Sequence, residues 1–201
     1  MELLKKIWSW IFPILLGIGV VVLAKAFIVQ PVDVTGLSMY PNLHDKEKVL
    51  CFKTLPVHRE SVIVFNANGI DPETNKDKLY VKRVIGIPGD TVESRNGQIF
   101  VNGQPLNQSF ISDKEKIQGT GNWDLKSLSL KNQWPTDQGA VKVPQNKYFC
   151  LGDNRSVSRD CRYFGFVPKN KILGVVKAPI WIKDTQRRNV INLQWKTPFD
   201  F

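Results

Sequence analysis

Ser38 stands in the stretch Thr35-Gly36-Leu37-Ser38-Met39-Tyr40-Pro41, between a glycine turn and a proline. Most serines in such surroundings cap or turn the chain. A serine that does chemistry near neutral pH needs a base within hydrogen-bond reach, because the hydroxyl alone is a weak nucleophile. The candidate base is Lys82, inside Leu79-Tyr80-Val81-Lys82-Arg83-Val84-Ile85-Gly86-Ile87-Pro88-Gly89-Asp90. Strand alternation sends Lys82 and Arg83 to opposite faces, so one of the two must point toward packed protein. An edge-strand lysine would instead carry its ammonium out to water. Burial among apolar neighbours lowers a lysine pKa from about 10.4 toward roughly 7 to 8, where it can act as a general base. Arginine stays protonated and could not.

Histidine is a poorer choice. His44 and His58 sit in the charged, turn-like contexts His44-Asp45-Lys46 and His58-Arg59-Glu60, as solvated surface histidines do. His44-Asp45 with Glu47 matches no metal-ligand spacing, so no metal and no cofactor are expected. A third polar stretch, Gly152-Asp153-Asn154-Arg155-Ser156-Val157-Ser158-Arg159-Asp160-Cys161-Arg162-Tyr163-Phe164-Gly165, follows an apolar run. It reads as a hydrogen-bonded loop in which Asp160 can pair with Arg162 or Arg155. A calcium loop would need a different Asp/Asn spacing and a distant Glu, and the arginines would repel the ion. Cys51, Cys150 and Cys161 are odd in number, lack CxxC spacing and lie in or beside apolar runs, as small buried hydrophobes do. Sequence leaves open a disulfide between two of them.

These residues need a scaffold, and 201 residues suffice for one domain or one core with an inserted subdomain. Lys5 and Lys6 precede an uncharged run over residues 7–24, rich in Ile, Leu, Val and Trp, which residues 26–29 extend to membrane-spanning length. Ala24-Lys25-Ala26 imitates a signal-peptide cleavage site, but the apolar run exceeds the roughly 7 to 15 residues of a cleaved signal centre. Ile7, Trp8 and Trp10 leave no polar face for a buried core helix, and membrane helices tolerate a proline such as Pro13. The positive-inside bias places the N-terminus in the cytoplasm and the rest outside, although Lys25 weakens the contrast. The net charge of +10 is scattered, without the interleaved aromatic motif of an RNA-binding sheet, and favours an anionic lipid surface over nucleic acid.

Beyond the anchor, short apolar runs at residues 49–52, 61–65, 80–87, 98–101, 148–151 and 172–182 are bounded by turn residues and predict strands. Asn102-Gly103 predicts a two-residue hairpin. No long helical periodicity recurs. The expected fold class is mainly β: an antiparallel β catalytic domain over residues 30–103 and 143–183 with a smaller inserted lobe at 104–142, preceded by one N-terminal transmembrane helix at 7–29. Residues 1–6 form the cytoplasmic N-terminus. Residues 184–201 form a basic and aromatic tail, expected along the surface near lipid headgroups.

The segments Ser-Met-x-Pro at Ser38, Tyr-Val-Lys-Arg-x-Ile-Gly-x-Pro-Gly-Asp at Tyr80 and Gly-Asp-Asn-Arg-x-x-Ser-x-Asp-x-Arg-x-x-Gly at Gly152 occur in this order behind an anchor. Together they resemble type I signal peptidases, the bacterial membrane-bound Ser-Lys proteases that remove signal peptides from exported preproteins. The resemblance implies Ser38 as nucleophile and Lys82 as general base. It implies that Ser158 hydrogen-bonds and orients the lysine, that Asp160 and Arg162 form an ion pair shaping the site, and that the Ser38 backbone N–H joins the oxyanion hole. It implies Val32, Val34, Met39, Leu43, Tyr80 and Val81 as the lining of shallow pockets for small residues one and three positions before the cut. Three departures stand out. Gly36 replaces a serine whose hydroxyl completes the oxyanion hole in some members, as in the Gram-positive branch; Cys161 replaces a serine; and Glu60-Ser61 replaces Gly-Asp after Arg59. Two other classes compete, a self-cleaving repressor of Ser-Lys chemistry and a catalytically silent membrane-anchored binding protein.

Overall fold

The computed structural model describes residues 2–74 and 77–193. Helix α1 (Glu2–Phe27) contains Pro13 and runs straight into strand β1 (Val29–Asp33). Its span Trp8–Phe27 is long and apolar enough to cross a membrane, and none of it is buried against the protein. The Lys53 ammonium donates to the Lys25 and Ala26 carbonyls, at 3.3 and 2.8 Å, so the last turn is tied to the body by a cation at the negative end of the helix. The expected span to residue 29 is therefore two residues longer than the helix.

Seven antiparallel strands form the main sheet in the order β1, β2 (Lys48–Phe52), β11 (Ile172–Lys177), β3 (Val62–Asn66), β4 (Leu79–Gly86), β9 (Lys147–Leu151), β10 (Val167–Pro168). The sheet curls into a half-barrel, and the mainly antiparallel β class expected from the sequence is the one observed. All six predicted strands are present, the last ending at Lys177. β1 lies at an edge, where Pro31 removes no bond the sheet needs. β4 pairs with β3 along its first half and with β9 only from Arg83 onward. Residues 79–82 thus keep one free backbone edge.

A second sheet, in the order β7 (Gln104–Pro105), β6 (Gln98–Val101), β5 (Val92–Arg95), β8 (Trp123–Asp124), takes strands from both sides of residue 104. Asn102-Gly103 joins β6 to β7 with φ of 52° and 78°, the positive pair a type I′ turn requires. Asn96-Gly97 does the same between β5 and β6, with φ of 51° and 80°. Helix α2 (Leu125–Lys131) starts on a reciprocal capping box between Asp124 and Ser127. Val92, Ile99, Leu125, Leu128 and Trp134 share one apolar core with Ile63, Phe65, Val84 and Phe149 of the main sheet. A second core behind β1 gathers Val32, Val34, Met39, Leu43, Val49, Cys51 and Val81. In the expected tail, residues 185–191 form α3 (Thr185–Ile191), with Ile191 buried and Arg187 bonded to Glu47; Trp195, Phe199 and Phe201 lie outside the described residues. All three cysteines are buried and free.

Candidate active site

Curling of the main sheet brings the edge of β1 across from the free edge of β4, leaving a groove of about 530 Å³ between them. Ser38 and Lys82 meet at its floor. The Lys82 Nζ lies 2.8 Å from Ser38 Oγ, across 44 positions of sequence. Lys82 is only 4% exposed, so the ammonium cannot reach water as an edge-strand lysine would. Its pKa falls from the ordinary 10.5 to about 8: burial lowers it, and the charges of Asp160 and Asp153 pull back only in part. The Tyr80 ring lies beneath the ammonium at 5.1 Å, and its hydroxyl donates to Asp71 at 2.8 Å.

Arg83, expected to face the other way from Lys82, is also fully buried. Both faces of β4 are covered here, so alternation separates the two side chains without exposing either. Arg83 forms a two-pronged pair with Asp153, Nε to Oδ1 at 2.8 Å and Nη2 to Oδ2 at 2.7 Å, with both side chains at 0% exposure. Asn42 donates to the same carboxylate at 2.8 Å, and the Phe110 ring lies 4.2 Å from the guanidinium.

The loop after β9 is held from below. Asp160 accepts from Arg162 Nε at 2.8 Å, Arg162 Nη2 at 2.9 Å, the Arg162 N–H at 3.2 Å and the Gly152 N–H at 3.0 Å. Burial alone would raise the Asp160 carboxyl; Arg162, these hydrogen bonds and Lys82 hold it below the usual carboxylate value. Of the two arginines open as partners, Arg162 takes the carboxylate, while Arg155 binds the Gly152 carbonyl, Gln108 and Thr120. Gly152 is required by close approach, since a Cβ there would lie 2.2 Å from Ser158 Oγ and 2.5 Å from the Ser38 carbonyl. Ser158 Oγ is buried beside that carbonyl and has no hydrogen-bond partner among the described residues, so the expected bond to Lys82 is not formed in this structure.

Val32, Val34, Met39, Tyr80 and Val81 line the groove. Leu43 does not. It is fully buried one turn behind Met39, whose carbonyl accepts its N–H at 2.9 Å.

Each departure has a local account. Gly36 takes φ of 85°, a conformation that disfavours a side chain, and its N–H donates to Asp45 Oδ1 at 2.7 Å. Glu60 adopts φ of 66°, as the glycine it replaces would do without strain, and the neighbouring Ser61 hydroxyl accepts the His58 N–H at 2.9 Å. Cys161 Sγ accepts the Cys150 N–H at 3.1 Å, a bond a serine hydroxyl could equally accept.

A model of the family described as "Signal peptidase, peptidase S26" matches residues 7–181. The chain belongs to the signal peptidase family, peptidase S26. "Signal peptidase IB" of Staphylococcus aureus (strain COL) is 37% identical over 185 residues, covering 88% of this chain and 91% of that protein. "Signal peptidase I S" of Bacillus subtilis (strain 168) is 35% identical over 178 residues, covering 86% and 88%. Both organisms are Gram-positive, the branch Gly36 pointed to. A solved signal peptidase I from Enterococcus faecalis V583 superposes with a TM-score of 0.50 at 29% identity, covering 60% of this chain and 97% of that one. Signal peptidase membership also gives the apolar helix α1 its context as an anchor.

Sequence motifs marked Ser38 and Lys82 but assigned nothing to Asp45, Asp71 or Asn154. Asn154 stands inside the Gly152–Gly165 motif. Asp45 and Asp71 stand in loops with no local signal, and only the fold brings them to the site.

Proposed function

We propose that this chain is a membrane-anchored serine endopeptidase that removes signal peptides from exported preproteins, cutting after a small-x-small sequence with Ser38 and Lys82 as its dyad. The observation that carries the reading is the 2.8 Å contact between Ser38 Oγ and a lysine whose pKa lies near 8. As a neutral amine, Lys82 accepts the Ser38 proton while Oγ attacks the scissile carbonyl. The carbonyl oxygen gathers negative charge, which the Ser38 N–H is suited to stabilise. The protonated lysine then gives its proton to the leaving amine, and the acyl-enzyme remains. Neutral again, Lys82 takes a proton from water, whose hydroxide attacks the ester and releases the signal peptide's carboxylate and free Ser38.

The free edges of β1 and of residues 79–82 suit an extended peptide laid between them as an added strand. The alternate side chains of such a strand face Val32, Val34, Met39, Tyr80 and Val81, whose bulk leaves room for small residues only. α1 ends two residues before β1, so a spanning helix holds the groove at the bilayer surface, where a signal peptide lodged in the membrane presents its cleavage site. In this reading α1 crosses the cell membrane once and ends at Phe27, the N-terminus is cytoplasmic and the catalytic body that follows is extracytoplasmic. The Asp160 carboxylate, held by Arg162, supports the lysine electrostatically.

Two outcomes test this. Detergent-solubilised full-length protein is expected to cut a preprotein whose signal peptide ends in Ala-x-Ala directly after the second alanine, as read by N-terminal sequencing of the product. Ser38→Ala is expected to yield none. Cutting elsewhere, or product from the alanine variant, sinks the proposal. Because the amine is the active form, kcat/KM is expected to fall about tenfold per pH unit below about pH 8 and to level off above it. A profile flat between pH 6 and 9 excludes Lys82 as the base.

A further inference from the structure

The nucleophile's peptide bond is held by a residue that has no assigned role. Asn154 Nδ2 donates to the Leu37 carbonyl at 3.1 Å, and the Asn154 N–H donates to the Ser38 carbonyl at 3.1 Å. One residue therefore grips the two successive carbonyls that flank Ser38. Asn154 is itself fixed: its carbonyl accepts the Val157 and Ser158 N–H groups at 3.2 and 2.9 Å, closing a tight turn. The outer side of that turn is pinned by Glu115 of the expected insertion, which accepts the Ser156 N–H and hydroxyl, both at 2.9 Å.

The Leu37 carbonyl and the Ser38 N–H belong to the same planar, trans peptide unit, and in such a unit they point in opposite directions. Drawing the carbonyl toward the 152–158 loop turns the Ser38 N–H away from that loop. That N–H has no acceptor among the described residues. Gly36 brings no hydroxyl to help, and its own N–H is spent on Asp45. A hole with so few donors depends on how well the remaining one is aimed.

We propose that Asn154 is the positioning residue of the oxyanion hole: by holding the Leu37 carbonyl it aims the Ser38 N–H at the oxygen that becomes charged in the transition state. The assignment rests on Ser38 as nucleophile. It also gives the Glu115 segment a purpose, as the brace that keeps Asn154 in place.

The test compares Asn154→Ala and the near-isosteric Asn154→Asp with the unaltered full-length protein on the Ala-x-Ala preprotein. Asn154 is half-exposed, and Asn154→Asp keeps its volume and its backbone bond while setting a carboxylate against the Leu37 carbonyl. Since loss of one oxyanion donor costs about 10²- to 10³-fold in kcat, loss of its aim is expected to cost about 10- to 100-fold, with KM changed less than about threefold. A peptide boronic acid, whose tetrahedral adduct on Ser38 places an oxygen in the hole, is expected to bind more weakly by a similar factor. A merely structural loss would leave that ratio of adduct to substrate affinity unchanged. Either variant that folds with kcat within about twofold, a loss wholly in KM, or an unchanged boronate affinity overturns the assignment. Ser38→Ala separates the two levels: if it still cleaves, the dyad reading falls, whereas if it is inactive and Asn154→Ala turns over normally, only the role of Asn154 falls.

Discussion

Lys82→Met is expected to abolish cleavage and at the same time make the protein harder to unfold. The first effect follows from the loss of the base, which in enzymes whose nucleophile and base act as a unit costs about 10⁴- to 10⁶-fold in kcat. The second follows from burial. The ammonium is held almost entirely out of water, and lowering its pKa from 10.5 to about 8 corresponds to about 3 kcal/mol at about 1.4 kcal/mol per pH unit. Below pH 8 lysine is charged in both folded and unfolded chains, and the folded chain bears the whole penalty. Between about 8 and 10.5 the unfolded chain binds the proton and the folded chain does not, so stability rises with pH and the penalty fades. Methionine fills a similar volume without a charge, so denaturant unfolding at pH 7 should show a gain of up to about 3 kcal/mol that shrinks toward pH 10.5. Ser38, half-buried at the groove floor, loses a partner but retains access to water. Lys82→Arg sharpens the activity arm: it keeps a cation and removes the base, and it should be as inactive as the methionine variant. A methionine variant no more stable than the parent at pH 7 would mean that Lys82 is not the strained, desolvated cation its surroundings indicate.

The parts of this site legible in the sequence were those whose chemistry is local. A serine between glycine and proline, a lysine in an apolar strand and an Asp/Arg-rich loop each declare a residue type out of keeping with its neighbours. Five of the seven strands of the main sheet declared themselves through apolar runs bounded by turns; β10, two residues long, is too short to carry such a run. β1 did not, because Val29 continues the apolar run of the helix and Pro31 breaks the strand signal. The Asn96-Gly97 hairpin carried the same signal as Asn102-Gly103, but the strand before it, Glu93-Ser94-Arg95, is too polar to mark itself as one. Alternation correctly separated Lys82 from Arg83 but could not foresee a strand covered on both faces. Glu115 and Ser156 are 41 positions apart, and Asn154 and Leu37 are 117 apart; such contacts have no periodicity to betray them. Charge balance hid a further point. Arg83, Arg155 and Arg162 are all buried beneath the loop, where Asp153 and Asp160 each answer one arginine and Arg155 relies on neutral acceptors.

Asp153→Ala should be the most destabilising single change near the site. It leaves the Arg83 guanidinium at zero exposure without its carboxylate, although Glu60 and Val190 still offer backbone carbonyls at 3.0 and 3.2 Å. Removing one partner from a fully buried pair costs about 3 to 5 kcal/mol, because the remaining charge has lost its compensation and cannot regain water. Asn42 Nδ2 loses an acceptor too, but keeps the Phe110 carbonyl at 2.6 Å. Arg83→Met in the same chain removes the stranded charge and should recover most of the loss, so the two changes together are far less harmful than their separate costs added. Denaturant unfolding of the parent, both single variants and the double variant measures this coupling, and additive costs would rule out the buried pair as the source. Activity gives a second reading of the same contact. Asp153 sits between Gly152, which packs on the Ser38 carbonyl, and Asn154, which grips it. Arg83 is the residue after Lys82 on β4. The pair therefore clamps the loop that touches Ser38 to the strand that carries Lys82, and the double variant, restored in stability, should still turn over more slowly than the parent because that clamp is gone.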